Sequence, residues 1–313
     1  MGDHPVCYFN GAFILLADAK IGIMTHAFNY GTACFEGIRA YWSAEDRQFY
    51  TFRIRDHFER LRRSSGLLMI DLPHSVDELC DITQELLYRN QFETDIYARP
   101  LVYKSSEAVG VRLHDLDAGF AIFAVPFGDY IEASGGIRAM VSSWRRIDDN
   151  AAPSRAKLTG TYVNAALAKS EAVLNGFDEA IMLTDDGHVC EGSAENIFLV
   201  SGGELITPLV SDNILVGITR STVIQLARDD LHLVVRERRV DRSELYSADE
   251  VFLCGTGAQI IPVVEIDHRP IGNGEVGPIT ARVARCYDDV VHGVESRYHS
   301  WLSAVYQREP SRR

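Results

Sequence analysis

Of the 31 lysines and arginines in this chain only four are lysine: Lys20, Lys104, Lys157 and Lys169. A lysine amine can condense with a carbonyl or carry a proton, whereas an arginine guanidinium stays charged. Lys157 stands just before a helix-like run and five residues ahead of Tyr162, in SRAKLTGTYVNAALAKSEA (154–172). Lys169 falls within that run and reads as an ordinary surface charge. Two glycine-flanked turns could receive an anion. Gly217-Ile218-Thr219 precedes an apolar-periodic helix, whose first-turn amides and dipole favour negative charge. A routine N-cap by Thr219 or Ser221 explains the same residues. In CGTGAQ (254–259), Gly255 and Gly257 admit a ligand to the backbone and Thr256 offers a hydroxyl; a plain hairpin turn would look the same.

An isolated lysine and two anion-friendly turns together point to a phosphorylated carbonyl cofactor. Pyridoxal 5′-phosphate (PLP) needs a lysine, a phosphate cup and an acid that keeps its ring nitrogen protonated. Glu191, in HVCEGSAEN, is the candidate acid. The tempting GNGEVG (272–277) fits the dinucleotide fingerprint only in its glycines. It lies near the C-terminus with helix-like sequence after it, and no second strand or acidic residue follows at the required distance. Pro278 opening a helix after a glycine turn accounts for it. There is no Walker A loop, G-x-S-x-G or H-E-x-x-H.

The bulk properties are those of an ordinary globular protein, with 46% hydrophobic and 24% charged residues. A net charge of −13 argues against nucleic acid or an anionic membrane as partner. No apolar run has membrane-spanning length, and MGDHPVCYFNGAF lacks the basic and apolar regions of a secretory signal. The six scattered cysteines form no C-x-x-C pair, which suits reduced thiols in the cytoplasm and gives zinc no ligand set.

The elements that must position these residues follow an α+β pattern. YFNGAFILLADA reads as a hairpin turning at Asn10-Gly11, and QFYTFRI as a strand. DHFERLRRSSG reads as a helix with Asp56 as N-cap and Gly66 as stop; SVDELCDITQELLYRNQ reads as a second helix capped by Ser75. IYARPLVYKS and GFAIFAVPFG complete an N-terminal domain at 1–127. The Gly-bearing stretch 128–137 reads as a linker. Beyond it, in 138–313, strands IRAMVSSW, EAIMLTDDG, HVCEGSAENIFLVSGG, ELITP and EVFLCGTGAQIIPVVEID alternate with helices YVNAALAKSEAVLNG and RSTVIQLARDDL. A final helix runs from about Pro278 to about Val291, with more helix after it.

HAFNYGTACFEGIRAY (26–41), YARPLVY (97–103), AKLTGTY (156–162), EGSAENIFLV (191–200), VGITR (216–220) and CGTGAQIIPV (254–263) occur in an order that resembles class IV aminotransferases, and within them the branched-chain amino-acid branch. The resemblance runs from about residue 8 to about 285. It implies the fold type IV PLP architecture: a small N-terminal α/β domain, a larger β-barrel-like C-terminal domain with helices, and a homodimer or higher homo-oligomer. It implies ping-pong transamination of L-leucine, isoleucine and valine with 2-oxoglutarate, so that the partners are amino acids and 2-oxo acids.

The implied roles fall residue by residue. Lys157 would form the internal aldimine and act as acid/base. Tyr162 would bond the phenolic oxygen of PLP, and Glu191 its ring nitrogen. Arg60, on its own a solvated helix charge, would bind phosphate with the amides of Ile218 and Thr219 and the hydroxyl of Thr256. Thr256 and Gly257 would present amides to the substrate carboxylate, helped by Tyr97. Phe35, Gly37, Phe127, Tyr130 and Tyr162 would wall the side-chain pocket. Arg39 and Arg99 match the family's pocket arginines, with Arg99 meeting the distal carboxylate of glutamate. Tyr30 and the Gly110-Val111 loop would reach across the dimer interface.

Three departures bear on the substrate. Phe127 stands where many relatives carry Trp. Gly257 and Gln259 stand in a turn that more often reads GTAAE. Arg112 and His114 resemble, one position displaced, the Arg-x-His carboxylate trap of D-amino-acid aminotransferases. D-amino acids and (R)-amines therefore stay open as substrates. Aminodeoxychorismate lyases share the fold and the lysine but eliminate pyruvate, and they lack the Tyr97–Arg99 pairing. Replacing Lys157 with Ala is expected to abolish turnover and the absorbance of lysine-bound cofactor, measured on the purified PLP-loaded variant; an active variant would sink the assignment. Lys169→Ala is expected to change little.

Overall fold

The computed structural model describes residues 5–45, 47–128 and 135–306. The chain forms two compact units of nearly equal size: one from 1–128, 156–160 and 289–313, the other from 129–155 and 161–288. Residues 156–160 and 289–313, which the sequence pattern places in the second domain, thus group with the first unit. So the contrast between a small first and a larger second domain does not describe this division. The reason is strand pairing, which recruits both segments into the first unit.

In the first unit the hairpin β1 (Val6–Phe9) and β2 (Ala12–Leu15) turns at Asn10 and Gly11, whose φ values are 46° and 97°. Both angles suit a tight hairpin turn. A five-residue helix α1 (His26–Tyr30) leads into β3 (Ala33–Phe35) and β4 (Ile38–Ser43), three elements absent from the sequence-based assignment. β5 (Gln48–Phe52) precedes α2 (Ile54–Leu67) and α3 (Val76–Asn90), and β6 (Ile96–Lys104) and β7 (Ala118–Pro126) follow. The antiparallel sheet runs from the C-terminal strand Leu302–Ala304 through β5, β4, β6, β7 and β1 to β2, with β3 also paired to β6. Phe58 and Leu61 of α2 and Leu79, Leu86 and Leu87 of α3 share one core with Ile38, Ile96 and Ile122 of the sheet.

The α3 cap is as expected, a capping box between Ser75 and Glu78. The α2 boundaries are not. Arg53, at φ 48°, is the N-cap residue, and Asp56 lies in the first turn, accepting a 2.7 Å bond from Arg53 Nε. There it offsets the helix dipole instead of capping. Gly66 remains within the helix, and Lys104, buried at the end of β6, donates from Nζ to Met69 O at 2.6 Å just past the helix end.

The second unit is a mixed sheet. Its strands are β8 (Ile137–Arg145), β9 (Glu179–Leu183), β10 (Val189–Gly192), β11 (Asn196–Ser201), β12 (Glu204–Thr207), β13 (Val235–Glu237), β14 (Glu250–Gly255), β15 (Gln259–Ile266) and β16 (Arg269–Pro270). They are ordered β10-β9-β8-β15-β14-β11-β12-β13, with β16 on β15. HVCEGSAENIFLVSGG, expected as one strand, is two, β10 and β11, broken at 193–195. Two parallel pairs need helical crossovers: α4 (Tyr162–Leu174) joins β8 to β9, and α5 (Ile218–Asp229) joins β12 to β13. α4 turns Ala165, Ala168 and Ala172 inward, so the helix lies close to the sheet. After the helix Pro278–Val291 comes a 3₁₀ turn, Ser296–Trp301, which leads into the strand Leu302–Ala304.

Lys169 overturns its reading as a plain surface charge. Its Nζ lies 2.6 Å from Glu179 Oε2, and the Glu179 side chain is 0% exposed against 30% for Lys169. A buried carboxylate that loses its cation is costly, so Lys169→Met should destabilise the protein by about 3 kcal/mol. The double variant Lys169→Met/Glu179→Met should recover most of that. Urea unfolding of the three proteins decides it; an unchanged midpoint for the single variant would restore the surface reading.

Candidate active site

In the first unit, the segment carrying Lys157 is an additional short strand beside β3. Phe35 N–H donates to Lys157 O at 3.0 Å, Thr159 N–H to Ala33 O at 2.9 Å, and Gly160 N–H to Gly31 O at 3.2 Å. Gly31 has φ 65°, and a Cβ there would come within 2.7 Å of Gly160 Cα, so two glycines let the backbones meet. Lys157 N–H donates to Ser64 Oγ of α2 at 3.3 Å. This puts Lys157 Nζ 4.9 Å from the centre of the Phe35 ring, and the Arg99 guanidinium lies 4.5 Å from the same ring. Arg99 Nη2 donates to Tyr97 Oη at 3.0 Å, while its buried Nε has no hydrogen-bond partner among the described residues. The Tyr97 hydroxyl lies against Gly37, where a Cβ would collide with it. The Phe127 ring is 5.1 Å from that of Tyr97. The sequence motifs therefore converge here: Phe35, Gly37, Tyr97, Arg99, Phe127 and Lys157 form one neighbourhood.

Arg39 stands apart in character. It is buried, donating to Phe127 O at 3.1 Å and Gly128 O at 3.4 Å and pairing with Asp95 at 3.5 Å. Its charge is met by the chain itself, which makes it a strap for the end of β7. Arg60 is not a solvated helix charge: it is buried and gripped by Glu36. Glu36 and His57 carried no functional signal in the sequence, although Glu36 lies inside the motif ACFEGIRAY. Tyr30 Oη accepts from Gly110 N–H at 3.1 Å, and His26 Nε2 lies 2.7 Å from Gly110 O, so Tyr30 and the Gly110-Val111 loop are tied together. Val111 is exposed, as are Ile23, Phe28 and Val109 near it in sequence. Arg112 and His114 are exposed and face Asp115 at 3.7 and 3.9 Å. Tyr130 lies outside the described residues.

In the second unit, Glu191 on β10 is nearly buried. Its Oε1 pairs with Arg146 at 2.8 Å, and its Oε2 accepts from Asn196 Nδ2 at 2.9 Å and Leu215 N–H at 3.1 Å. A charged carboxylate held by three donors is what a protonated ring nitrogen needs. Arg146, Asn196 and Leu215 carried no signal in the sequence, because their role comes only from folding around Glu191. α5 begins at Gly217 with no side-chain cap. The Thr219 and Ser221 capping alternative therefore falls: Ser221 Oγ donates instead to Gly217 O at 3.0 Å. A Cβ at Gly217 would collide with Asn196 Oδ1, so this glycine is required where the helix starts. Ile218 and Thr219 occupy the first turn, and Thr256 and Gly257 the turn between β14 and β15. Tyr162 is the first residue of α4. The anchored carboxylate and the uncapped helix start fit the ring nitrogen and phosphate of PLP. Among the described residues no cluster could hold a metal ion.

Known proteins share this arrangement. Residues 33–266 match the model of the amino-transferase class IV family, and the chain belongs to that family. It is 49% identical, over 96% of its length and 97% of the relative's, to a probable branched-chain-amino-acid aminotransferase of Aquifex aeolicus. Among solved structures it superposes with TM-score 0.93 on the branched-chain aminotransferase of Thermoproteus uzoniensis with norvaline, at 44% identity, covering 97% of this chain and 100% of that one. A second solved structure superposes with TM-score 0.91 at 39% identity, over 97% of this chain and 99% of that one. It is a bacterial-type branched-chain amino acid aminotransferase, designated T.th., complexed with N-(5′-phosphopyridoxyl)-L-glutamate.

Beside Glu191 lies a carboxyl with the opposite character. Glu195 is buried and accepts from Ala194 N–H at 3.0 Å. Burial, and then the negative charge of Glu179, push its carboxyl up to about 8 from 4.5. The folded state thus binds a proton that the unfolded chain releases between those values. The stability this group contributes is present below pH 4.5 and is lost as pH rises through about 8. Glu195→Gln should therefore gain stability relative to the parent as pH rises over this window, read from denaturant midpoints. A constant difference between the two proteins would refute it.

Proposed function

We propose that the protein is a PLP-dependent aminotransferase acting on branched-chain L-amino acids, with 2-oxoglutarate and glutamate as the complementary pair. The observation that carries this reading is the shared Phe35 ring, with the Lys157 amine and the Arg99 guanidinium both over it. An aliphatic side chain is accommodated by the apolar ring, while a distal carboxylate finds the Arg99 Nε and its charge. One site can then take leucine and glutamate in alternation. The relative complexed with phosphopyridoxyl-glutamate and the T. uzoniensis relative with norvaline are consistent with that pairing.

PLP, when bound, supplies a carbonyl carbon that takes up the amino group and a ring that accepts the electron pair left at the substrate Cα. Lys157 anchors it and, once displaced by the donor's amine, moves a proton between Cα and the cofactor's C4′. Glu191 holds the ring nitrogen protonated, because Arg146, Asn196 and Leu215 keep its carboxylate charged and in place. Tyr162 bonds the phenolic oxygen. Arg60, the α5 amides at Ile218 and Thr219, and the Thr256 hydroxyl hold the phosphate. Thr256 and Gly257 amides with Tyr97 orient the substrate carboxylate. Arg39, a pocket arginine in the sequence reading, acts here through Phe127.

The working unit is a homodimer in the cytoplasm. The exposed apolar residues around Tyr30 and Val111 support self-association, since a patch of this kind is rarely left to water. No helix among the described residues is long and apolar enough to cross a membrane.

The test is half-transamination followed by absorbance of the PLP-loaded protein, with sedimentation of the same preparation. L-Leucine and L-glutamate should convert the cofactor to its amine form, and D-alanine and (R)-1-phenylethylamine should not. The protein should sediment as a dimer or larger. Response only to the D-acid or the amine would move the substrate assignment to Arg112 and His114, and a monomer would remove the dimer.

A further inference from the structure

Glu36 is 0% exposed and sits between two residues of the pocket, Phe35 and Gly37. Arg60 donates to it twice, Nε to Oε1 and Nη2 to Oε2, both at 2.7 Å, and His57 Nδ1 lies 2.7 Å from Oε2. Burial alone would push this carboxyl up, but the Arg60 charge and the bonds from Arg60 and His57 outweigh it and hold it down at about 2. Burial pushes His57 down, with the Arg60 and Lys157 charges adding to that and Glu36 opposing it.

The fork is also fixed at its base. Phe35 N–H is bonded to Lys157 O, and Glu36 N–H to Pro100 O at 3.0 Å, so the Phe35–Gly37 backbone is held from two sides. On α2, His57, Arg60 and Ser64 fall at i, i+3 and i+7, on one face. That face meets Glu36 through the first two and the Lys157 backbone through Ser64. One helix face therefore sets both the direction of Arg60 and the place of the lysine.

We propose that Glu36 is a positioning residue for the cofactor phosphate: its two-point grip on Arg60 orients the guanidinium that binds the anion. This rests on the reading of Arg60 as a phosphate residue. A guanidinium has donors only, so an amide in place of the carboxylate cannot reproduce the bidentate pair. Loss of the negative charge would by itself favour an anion at Arg60, so the sign of the effect separates grip from charge.

The experiment measures the binding of PLP, and of pyridoxal without phosphate, to apoprotein by quenching of intrinsic fluorescence. Four proteins are compared: the parent, Glu36→Gln, Arg60→Ala and the double variant. Glu36→Gln should weaken PLP by roughly tenfold to a hundredfold, the range for outer partners of a binding group. Pyridoxal should be unaffected, and Glu36→Gln should add nothing once Arg60 is Ala. Equal weakening of both ligands would make Glu36 merely structural. Unchanged or tighter PLP would overturn the proposal. PLP binding that survives Arg60→Ala would instead overturn the reading of Arg60. If Glu36→Gln does not fold, Glu36→Asp, which keeps the charge and withdraws it by one methylene, is judged by the same outcomes.

Discussion

The first unit depends on one backbone contact. The chain at 157–160 lies against the chain at 31–35 through three main-chain hydrogen bonds and the glycine-to-glycine approach at Gly31 and Gly160. Lysine is among the most flexible of side chains, and its amine is useful only if its Cα cannot wander. Pairing with β3 fixes that Cα, and the same strand supplies the ring beneath the amine. Arg99 and Tyr97 come from β6, which also pairs with β3. The relation between amine, ring and guanidinium is thus set by sheet register, where a one-residue slip would turn every side chain to the other face.

The second unit shows how buried charge is managed by opposite means. Glu191 is surrounded by donors and remains charged. Glu195, four residues on, has a backbone N–H and an acidic neighbourhood and holds its proton. Glu179 is matched by Lys169. Three carboxyls of one sheet thus differ in their partners more than in their burial. Separating neighbouring carboxyls in this way is how a fold keeps one of them ionised for chemistry.

Much of this was legible in the sequence where a local rule governs. The hairpin at Asn10-Gly11, the Ser75 capping box and the glycine before α5 each depend on residues within a few positions. The ordered motifs gave the family and, through it, the residues that gather around Phe35. What escaped notice depends on distant partners. Glu36 is an ordinary acid until α2 brings Arg60 against it. Lys169 reads as solvent-facing until β9 places Glu179 beneath it. Arg146 and Asn196 acquire meaning only as ligands of Glu191. The α2 start was missed because Arg53 takes up a left-handed conformation that its side chain does not announce.

The edge strand Leu302–Ala304 has a consequence for synthesis. Thr51 Oγ1 donates to Ser303 O across 252 residues of sequence, and the first sheet is built from segments that leave the ribosome far apart in time. A nascent chain holding β1 to β7 therefore carries an open strand edge at β5 while the whole second unit is still being made. Such an edge is a template for wrong pairing with other chains. Elongation speed and chaperone cover over that interval, more than final stability, would then govern how much active protein a cell obtains.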